Sequence, residues 1–364
     1  MADGPRALRA GEWDQLDRVV STVFRPEMFH DYPQLFNEDN RDNLRVVAED
    51  GNVVCHVGMT ERRASLAGCG IDVACIGAVS TLDEYRGRGF ASQAFQDACT
   101  KAAGDGIDVM LISGGRGLYT RVGCREVGRD AVFTITRDAI SSFKDVSDKD
   151  VSNRAIPNAE GAERYVLAQV SAQQIDGLRA LYQREAVRFL RPLEDWEMAF
   201  DCGIVMNTAS DFWGLSAGGA LLAYIVVHQP DKVRQRGPDA PTTLRVVEFA
   251  GERTAVVAAL PRLLEHYGTD RLTIHVQGTD PALHAYLAGG VTPGKPASGA
   301  SGLTPQPASA SGTLRVINFP QLMERCRPLL AERLGTKGAA ELAFEADAGP
   351  GSAEGGFTIR RGEE

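Results

Sequence analysis

Residues 86–91, with the sequence RGRGFA, combine the residue types that bind a phosphate or pyrophosphate group. They follow an apolar segment typical of a strand and lead into Phe90 to Ala103, an amphipathic segment typical of a helix. A helix N-terminus exposes unpaired backbone N–H groups and carries partial positive charge. Glycines let the backbone approach a phosphate closely, and Arg86 and Arg88 add positive charge. The turn is therefore predicted to bind an anion through its backbone amides.

The spacing of this turn excludes two common phosphate-binding motifs. A P-loop needs Gly-x-x-x-x-Gly-Lys followed by Ser or Thr, and neither that spacing nor that pair is present. The dinucleotide fingerprint also fails, because Ser92 stands where its third Gly or Ala is needed. The spacing that remains is Arg-x-x-Gly-x-Ala at positions 86, 89 and 91.

The elements around the turn predict an α/β fold with mixed, largely antiparallel sheets flanked by helices. An apolar strand over 71–80, the turn, the helix and a second apolar strand over 109–113 form one strand–helix–strand unit. Such a crossover makes its two strands parallel. A last strand of this first segment is predicted near 131–135.

Two stretches of biased composition divide the chain. Residues 145–161 are polar, and residues 291–312 are a Pro/Gly/Ser/Ala tract that is predicted to be a flexible linker. They separate the segments 1–144, 162–290 and 313–364. The second segment repeats the element order of the first, which indicates a duplicated fold.

Composition narrows the class of protein. The 39 Lys and Arg residues against 48 Asp and Glu residues give a net charge of −9, which disfavours a general nucleic-acid binder. The longest apolar run, Ala220 to Val227, is far shorter than the roughly 20 residues that span a bilayer. The N-terminus has no secretory pattern, and the 7 cysteines form no Cys-x-x-Cys pair. We therefore predict reduced, mostly buried thiols, a cytoplasmic protein, no metal site and no membrane partner.

The motif at 86, 89 and 91 resembles the pyrophosphate-binding signature of the GNAT acyltransferases, in which Gln or Arg stands first and Gly or Ala last. The segment Ser113 to Gly123, with Gly-Gly and then Tyr-x-Arg-x-Gly, resembles the matching part of Eis-type (enhanced-intracellular-survival) GNAT proteins. Leu314 to Pro320 and the helix predicted after it resemble the opening of their sterol-carrier-protein-like domain. The resemblance implies a catalytic GNAT domain over 1–144, a linker over 145–161, a degenerate GNAT-like domain over 162–290 and a partial sterol-carrier-like segment over 313–364. That last segment is about half the length of the domain it resembles, so the family's terminal-carboxylate role is not carried over to Glu364.

The resemblance implies an N-acetyltransferase that uses acetyl-CoA as co-substrate and binds it without a metal. The cofactor-binding residues that it implies are Val79 and Thr81 for the pantetheine arm, and Arg86, Gly87, Arg88, Gly89, Phe90 and Ala91 for the pyrophosphate. Tyr119 matches the family's general acid, which donates to the leaving thiolate. The alternative for Tyr119 is simple packing at the start of a helix.

The predicted reaction is direct transfer of the acetyl group to a primary amine of a small molecule or an exposed lysine. The general base is left open, with candidates His30, Asp31, His56, Glu61 and Glu84, or a water relay. The segment Phe24 to Asn43 is predicted to be either a lid over the acceptor or a packed loop. Two alternatives remain, a transferase of longer acyl groups and a non-catalytic acyl-CoA sensor or assembly protein.

The second segment and the assembly carry separate expectations. Residues 250–255 lack the Arg-x-x-Gly-x-Ala spacing, and Glu252 puts an acid where a phosphate would lie, so this segment is predicted to bind no CoA. By resemblance the chain is expected to form a homo-oligomer, often a hexamer. No nucleic-acid partner is expected.

Overall fold

A computed structural model describes residues 2–115, 117–137, 165–206, 208–229, 242–289, 303–309 and 312–334. Contacts divide the chain into two compact units. The first unit contains Met1–Val127, Ala186–Asp195 and Ser311–Glu364, and the second contains Gly128–Glu185 and Trp196–Ala310. The predicted linker over 145–161 lies outside the described residues.

The described strands and helices are numbered in chain order. The strands are β1 (Ala2–Ala7), β2 (Leu44–Glu49), β3 (Asn52–Leu66), β4 (Cys69–Thr81), β5 (Val109–Ile112), β6 (Arg125–Glu126), β7 (Asp130–Thr136), β8 (Val166–Gln169), β9 (Val187–Phe189), β10 (Ile204–Val205), β11 (Thr208–Ala217), β12 (Ala220–His228), β13 (Thr243–Gly251), β14 (Arg271–Val276), β15 (Gln306–Ala308) and β16 (Thr313–Val316). The helices are α1 (Trp13–Val23), α2 (Met28–Asp31), α3 (Phe90–Gly104), α4 (Gly117–Arg121), α5 (Ile175–Tyr182), α6 (Leu193–Cys202), α7 (Arg253–Tyr267), α8 (Pro281–Leu287) and α9 (Phe319–Leu334).

The sheet of the first unit has the order β1-β2-β3-β4-β5-β16-β6, with β9 paired to β3. All of its pairs are antiparallel except β4–β5, which is parallel as the crossover predicts. Together with the flanking helices this confirms the predicted mixed α/β fold.

Strand β5 pairs with β4 over its whole length, but β4 is the longer strand and continues beyond this pairing. Their register runs from Val73↔Val109 to Ile76↔Ile112, while β4 continues to Thr81 with β3 as its partner on the other edge. The last residues of β4 therefore leave one edge without a ladder partner. A β-bulge lies in this stretch, where Ala78 has a φ of +52°.

Helices pack on both faces of this sheet. On one face α3 buries Phe90, Phe95 and Cys99 against alternate residues of β3 and β4. On the other face, α1, α2 and the segment after them form a second core that contains Leu16, Leu35, Phe36 and other apolar side chains. The turn that follows β4 thus connects a strand and a helix that are both held in place by buried apolar contacts.

The second unit has the sheet order β10-β11-β12-β13-β14-β7-β15, with β8 paired to β11. Strand β7, predicted as the last strand of the first segment, pairs with β14 and β15 here. Strand β16, which follows the predicted second linker, pairs with β5 and β6 of the first unit. The two units therefore divide the chain differently from the predicted segments, because an apolar pattern predicts a strand but does not specify its partner.

Part of the predicted flexible linker over 291–312 is ordered as β15. Gln306 and Ala308 pair with Val132 and Asp130 at the edge of the second sheet. Backbone pairing at an edge needs no large side chain and tolerates Pro307.

Within the described residues, no helix is long and apolar enough to cross a membrane. All of the cysteines are free thiols: Cys55, Cys69, Cys99, Cys124 and Cys326 are buried, and Cys75 and Cys202 are half-buried.

Candidate functional site

The turn between β4 and α3 presents free backbone amides. Gly87 and Gly89 have φ values of +77° and +83°, a region in which residues with a Cβ are strained. Gly89 is the N-cap of α3, no side chain caps the helix, and its first turn holds no acidic residue. The N–H groups of residues 89–91 thus lie at the start of α3, where backbone N–H groups have no hydrogen-bond acceptor within the helix. This geometry suits the predicted pyrophosphate site, and the assignment to residues 86–91 stays a prediction.

Arg86 closes the turn from the strand side. Its Nε donates to the carbonyl oxygen of Thr81 at 3.3 Å, and its guanidinium pairs with Asp83 at 2.9 Å. The side chain is 60% exposed, so it is accessible to a ligand in solution.

Arg88 is paired within the protein. Its two terminal nitrogens donate to both carboxylate oxygens of Glu49, and its guanidinium lies 4.7 Å from the ring centroid of Phe90. The ion pair holds the pKa of the Glu49 carboxyl below its usual value. Sequence reasoning gave Arg88 a free positive charge at the turn, but it missed Glu49, because this contact depends on strand β2 lying beside the turn.

Val79 and Thr81 lie in the part of β4 that extends past the end of β5. Val79 packs against the core under α3, and the Thr81 hydroxyl donates to Cys55 Sγ at 3.2 Å. Among the described residues, their backbone edge toward β5 has no ladder partner. This unpaired part of β4 comes directly before the glycines of the turn in the chain.

Tyr119 lies on the same face of the sheet as the turn. It belongs to the short helix α4, its side chain is buried, and its ring centroid is 5.6 Å from that of Phe95. A Cβ at Gly114, whose φ is +134°, would lie 4.0 Å from the Tyr119 ring. The structure thus places Tyr119 and Val79 against one apolar core.

The segment from Phe24 to Asn43 packs onto the opposite face of the sheet. Phe29 stacks on Phe36 at 4.2 Å, and Trp13 Nε1 donates to Glu38 at 2.9 Å. The segment is a packed cover for β3 and β4 in this structure, which was one of the two predicted alternatives.

The five candidate bases do not converge on one place. His30 is 70% exposed and Asp31 pairs with Arg25. Burial raises the pKa of Glu61 to about 7, with a further contribution from the neighbouring Asp105. His56 is fully buried beneath Phe36, and burial lowers its pKa to about 4.

The corresponding turn of the second unit is filled by a carboxylate of the protein itself. Glu185 accepts from the backbone N–H of Gly251 at 3.1 Å and from Arg253 at 2.5 and 2.9 Å. Arg253 also donates to Asp280 at 2.6 Å. The sequence indicated an acid at this turn but assigned it to Glu252, since Glu185 is distant in the chain.

Within the part of the chain that the structure describes, no group of three or more His, Cys, Asp or Glu residues could hold a metal ion.

Comparison with known proteins places a family model described as an acetyltransferase (GNAT) domain on residues 5–127. This stretch contains β1 to β6, the turn and Tyr119. Residues 5–127 therefore match a GNAT domain, and the prediction of an acyltransferase enzyme is confirmed. No curated protein matches the chain.

Solved structures share the fold over most of the chain. A GCN5-related N-acetyltransferase from Anabaena variabilis is 18% identical with a TM-score of 0.62, over 89% of this chain and 75% of its own. Eis1 from Mycobacterium abscessus is 15% identical with a TM-score of 0.58, over 89% of this chain and 76% of its own. N-myristoyltransferase from Saccharomyces cerevisiae, solved with myristoyl-CoA and inhibitors, is 10% identical with a TM-score of 0.50, over 86% and 78%. At such identities the likeness shows the fold alone.

Proposed function

We propose that the protein is an acetyl-CoA-dependent N-acetyltransferase that transfers the acetyl group directly to a primary amine of a small molecule or an exposed lysine. One observation carries the proposal. The free edge of β4 ends in a turn whose glycines place uncapped amides at the start of α3. An extended arm followed by a pyrophosphate is the shape of CoA, and the two parts of this site follow each other in the same order.

The residues present fit this co-substrate. The open backbone edge at Val79 and Thr81 can hold the pantetheine amides, and the amides at 88–91 can hold the pyrophosphate. The exposed side chain of Arg86 can also contact a phosphate oxygen. The fold neighbour from Saccharomyces cerevisiae was solved with myristoyl-CoA, which supports an acyl-CoA as the ligand of this fold.

The chemistry needs no covalent enzyme intermediate. The amine nitrogen attacks the thioester carbonyl carbon, the C–S bond breaks, and the electron pair leaves with the sulfur. Tyr119 donates to that thiolate, and because a phenol (pKa about 10) is a weaker acid than a thiol (about 8.5), hydrogen bonding is its larger contribution. The ammonium loses one proton before the attack, to a base or water that the sequence leaves open. The nitrogen loses a second proton as the amide forms, and this proton balances the one that the leaving thiolate takes up.

The finer features of the resemblance belong to the same proposal. The likeness to Eis1 supports an Eis-like pair of GNAT folds. A partial sterol-carrier-protein-like segment over 313–364 stays a prediction of the resemblance. A homo-oligomeric state, a cytoplasmic location and an amine-bearing small-molecule partner stay predictions that rest on that resemblance.

Calorimetric titration with acetyl-CoA tests the proposal. The wild-type protein is expected to bind in the micromolar range. Gly89→Glu should abolish binding, because it puts a side chain and a negative charge where the phosphates lie. Gly219→Glu is the matched control, since Gly219 has a φ of +78° and open space around it in the second unit. Absence of heat with acetyl-CoA, CoA and longer acyl-CoAs would overturn the proposal.

A transferase of longer acyl groups is the second candidate, favoured by the likeness to the myristoyltransferase fold. Competition among acetyl-CoA, octanoyl-CoA and myristoyl-CoA for the same protein separates the two. Loss of affinity with chain length supports acetyl transfer, and gain supports the alternative.

A further inference from the structure

Two buried polar side chains stand at opposed positions of β3 and β4. His56 and Ser80 are directly opposed in the antiparallel register, and their exposures are 0% and 1%. Among the described residues, neither His56 Nε2 nor Ser80 Oγ has a hydrogen-bond partner. A buried polar group without a partner destabilises the folded state, so a pair of them at opposed positions calls for a reason.

The hydrogen bond of His56 fixes which ring nitrogen carries the proton. Nδ1 lies 2.9 Å from the carbonyl oxygen of Ala78, the residue with a φ of +52° in the β-bulge. A carbonyl only accepts, so Nδ1 donates. Burial keeps the imidazole neutral near pH 7 by lowering its pKa to about 4. Nε2 therefore carries a lone pair and no proton, and it can only accept a hydrogen bond.

Neighbouring residues on the two strands and in the packed segment fix the position of the His56 imidazole. Gly58 and Gly77 are opposed beside it, and a Cβ on Gly58 would lie 2.9 Å from His56 Cε1. Phe36, at 5.9 Å between ring centroids, covers the imidazole from the side of the packed segment. Ser80 itself lies in the stretch of β4 that extends past the end of β5. The two polar atoms thus share the face of the sheet opposite α3, next to Val79.

The chemistry of the two atoms selects a ligand. Nε2 needs a donor, and the Ser80 hydroxyl can accept or donate. A carboxylate cannot donate to Nε2, whereas a nitrogen that carries two or more hydrogens satisfies both atoms at once. We propose that His56 Nε2 and Ser80 Oγ hold the nitrogen of the acceptor amine beside the thioester. This inference rests on the proposed function and deepens it, since it assigns amine-binding residues.

The first experiment compares stability with amine kinetics. Ser80→Ala removes an unpartnered hydroxyl, so we expect Tm to rise by about 1–3 °C. We also expect kcat/KM for the amine to fall by about 10- to 100-fold, with KM for acetyl-CoA unchanged. Thr269→Val is the matched control, because Thr269 Oγ1 is a buried, unpartnered hydroxyl of the second unit. It should raise Tm and leave both kinetic parameters alone.

Variants at His56 separate its two nitrogens. His56→Asn can still donate to the Ala78 carbonyl but lacks the acceptor at Nε2, so it should lose amine kcat/KM as Ser80→Ala does. His56→Gln can place an amide oxygen near the Nε2 position and should recover part of that loss. Equal kinetics in both variants and the wild type would overturn the proposal, as would a fall in Tm for Ser80→Ala without a kinetic effect.

A second readout needs no turnover. Nitrogen NMR of the histidine rings follows Nε2 of His56 during titration with methylamine, using methanol as the control, with and without CoA. Accepting a bond from the amine should shift the unprotonated ring nitrogen in the wild type and less in Ser80→Ala. An unmoved resonance, or the same shift with methanol, would mean that His56 Nε2 and Ser80 Oγ do not select an amine, and it would overturn the proposal. Failure to bind any acyl-CoA would instead count against the proposed function, since the methylamine titration is also read without CoA.

Discussion

The guanidinium of Arg88 forms a two-point ion pair with the carboxylate of Glu49, with N···O distances of 2.7 and 2.5 Å. The pair lies at the mouth of the glycine turn, so the carboxylate neutralises a charge that would otherwise attract phosphates. The backbone amides at residues 89–91 and the exposed Arg86 are consequently the groups of the turn that remain to attract a phosphate.

Glu49→Gln is expected to tighten CoA binding. The substitution removes the compensating charge and leaves Arg88 available to a phosphate, so Kd should fall by roughly 3- to 10-fold at low ionic strength. The gain should shrink in about 0.5 M salt because the Debye length falls below 10 Å. Calorimetry at two salt concentrations measures both effects. Asp176→Asn, which removes the partner of Arg179 in the second unit, is the charge-matched control and should change nothing. Weaker binding by Glu49→Gln would mean that the ion pair shapes the turn.

Tyr119→Phe is expected to lower kcat by about 100-fold and to keep acetyl-CoA affinity. The substitution retains the ring that packs beside Phe95 and removes only the hydroxyl. Free-thiol release measures the rate, and calorimetry measures the affinity. Tyr286→Phe is the control, since Tyr286 is half-buried in the core of the second unit. An unchanged rate would favour the non-catalytic acyl-CoA sensor.

The sequence predicted those parts of the site that depend on local structure. The Arg-x-x-Gly-x-Ala turn, the strand before it and the helix after it are neighbours in the chain, and each has its own local signal. The parallel pairing of β4 and β5 followed from the crossover rule. The contacts that sequence reasoning missed are long-range ones: Glu49 on Arg88, Glu185 on Gly251 and His56 opposite Ser80. Each joins residues brought together only by strand pairing or packing.

The partners of two strands were missed for a related reason. Strand β7 has an apolar alternation that predicts a strand, and the nearest sheet in the sequence is that of the first unit. It nevertheless pairs with β14, and β16 occupies the place between β5 and β6. Any strand with a buried face can satisfy a free edge, so pairing is decided by which edges the completed units leave open.

Glu61→Gln is expected to make the protein more stable above neutral pH. Burial raises the pKa of Glu61 to about 7, so the folded state keeps a proton that the unfolded chain loses above its ordinary value of 4.5. The stabilisation from this proton is fully present below about pH 4.5 and is lost as pH rises through about 7. Glutamine mimics the protonated side chain at every pH. The variant should therefore gain on the order of 1–2 kcal/mol over the wild type near pH 8 and nothing near pH 4.5.

Urea unfolding near pH 4.5 and pH 8 measures this difference. Glu38→Gln is the control, because the Glu38 side chain is 61% exposed. It should give the same small difference from the wild type at both pH values. An equal stability change for Glu61→Gln at both pH values would show that Glu61 titrates normally in the folded protein.

Arg253→Met is expected to destabilise the second unit without weakening acetyl-CoA binding. Arg253 is 19% exposed and pairs with Glu185 and Asp280, so the substitution takes a guanidinium away from two half-buried carboxylates. The cost should be about 2–3 kcal/mol, measured by urea unfolding. Arg179→Met removes the partner of an exposed carboxylate and should cost below about 0.5 kcal/mol.

Since Glu185 already occupies the amide of Gly251, neither variant should change the affinity for acetyl-CoA. A lower affinity in Arg253→Met alone would place a CoA contact in the second unit and contradict the assignment to residues 86–91.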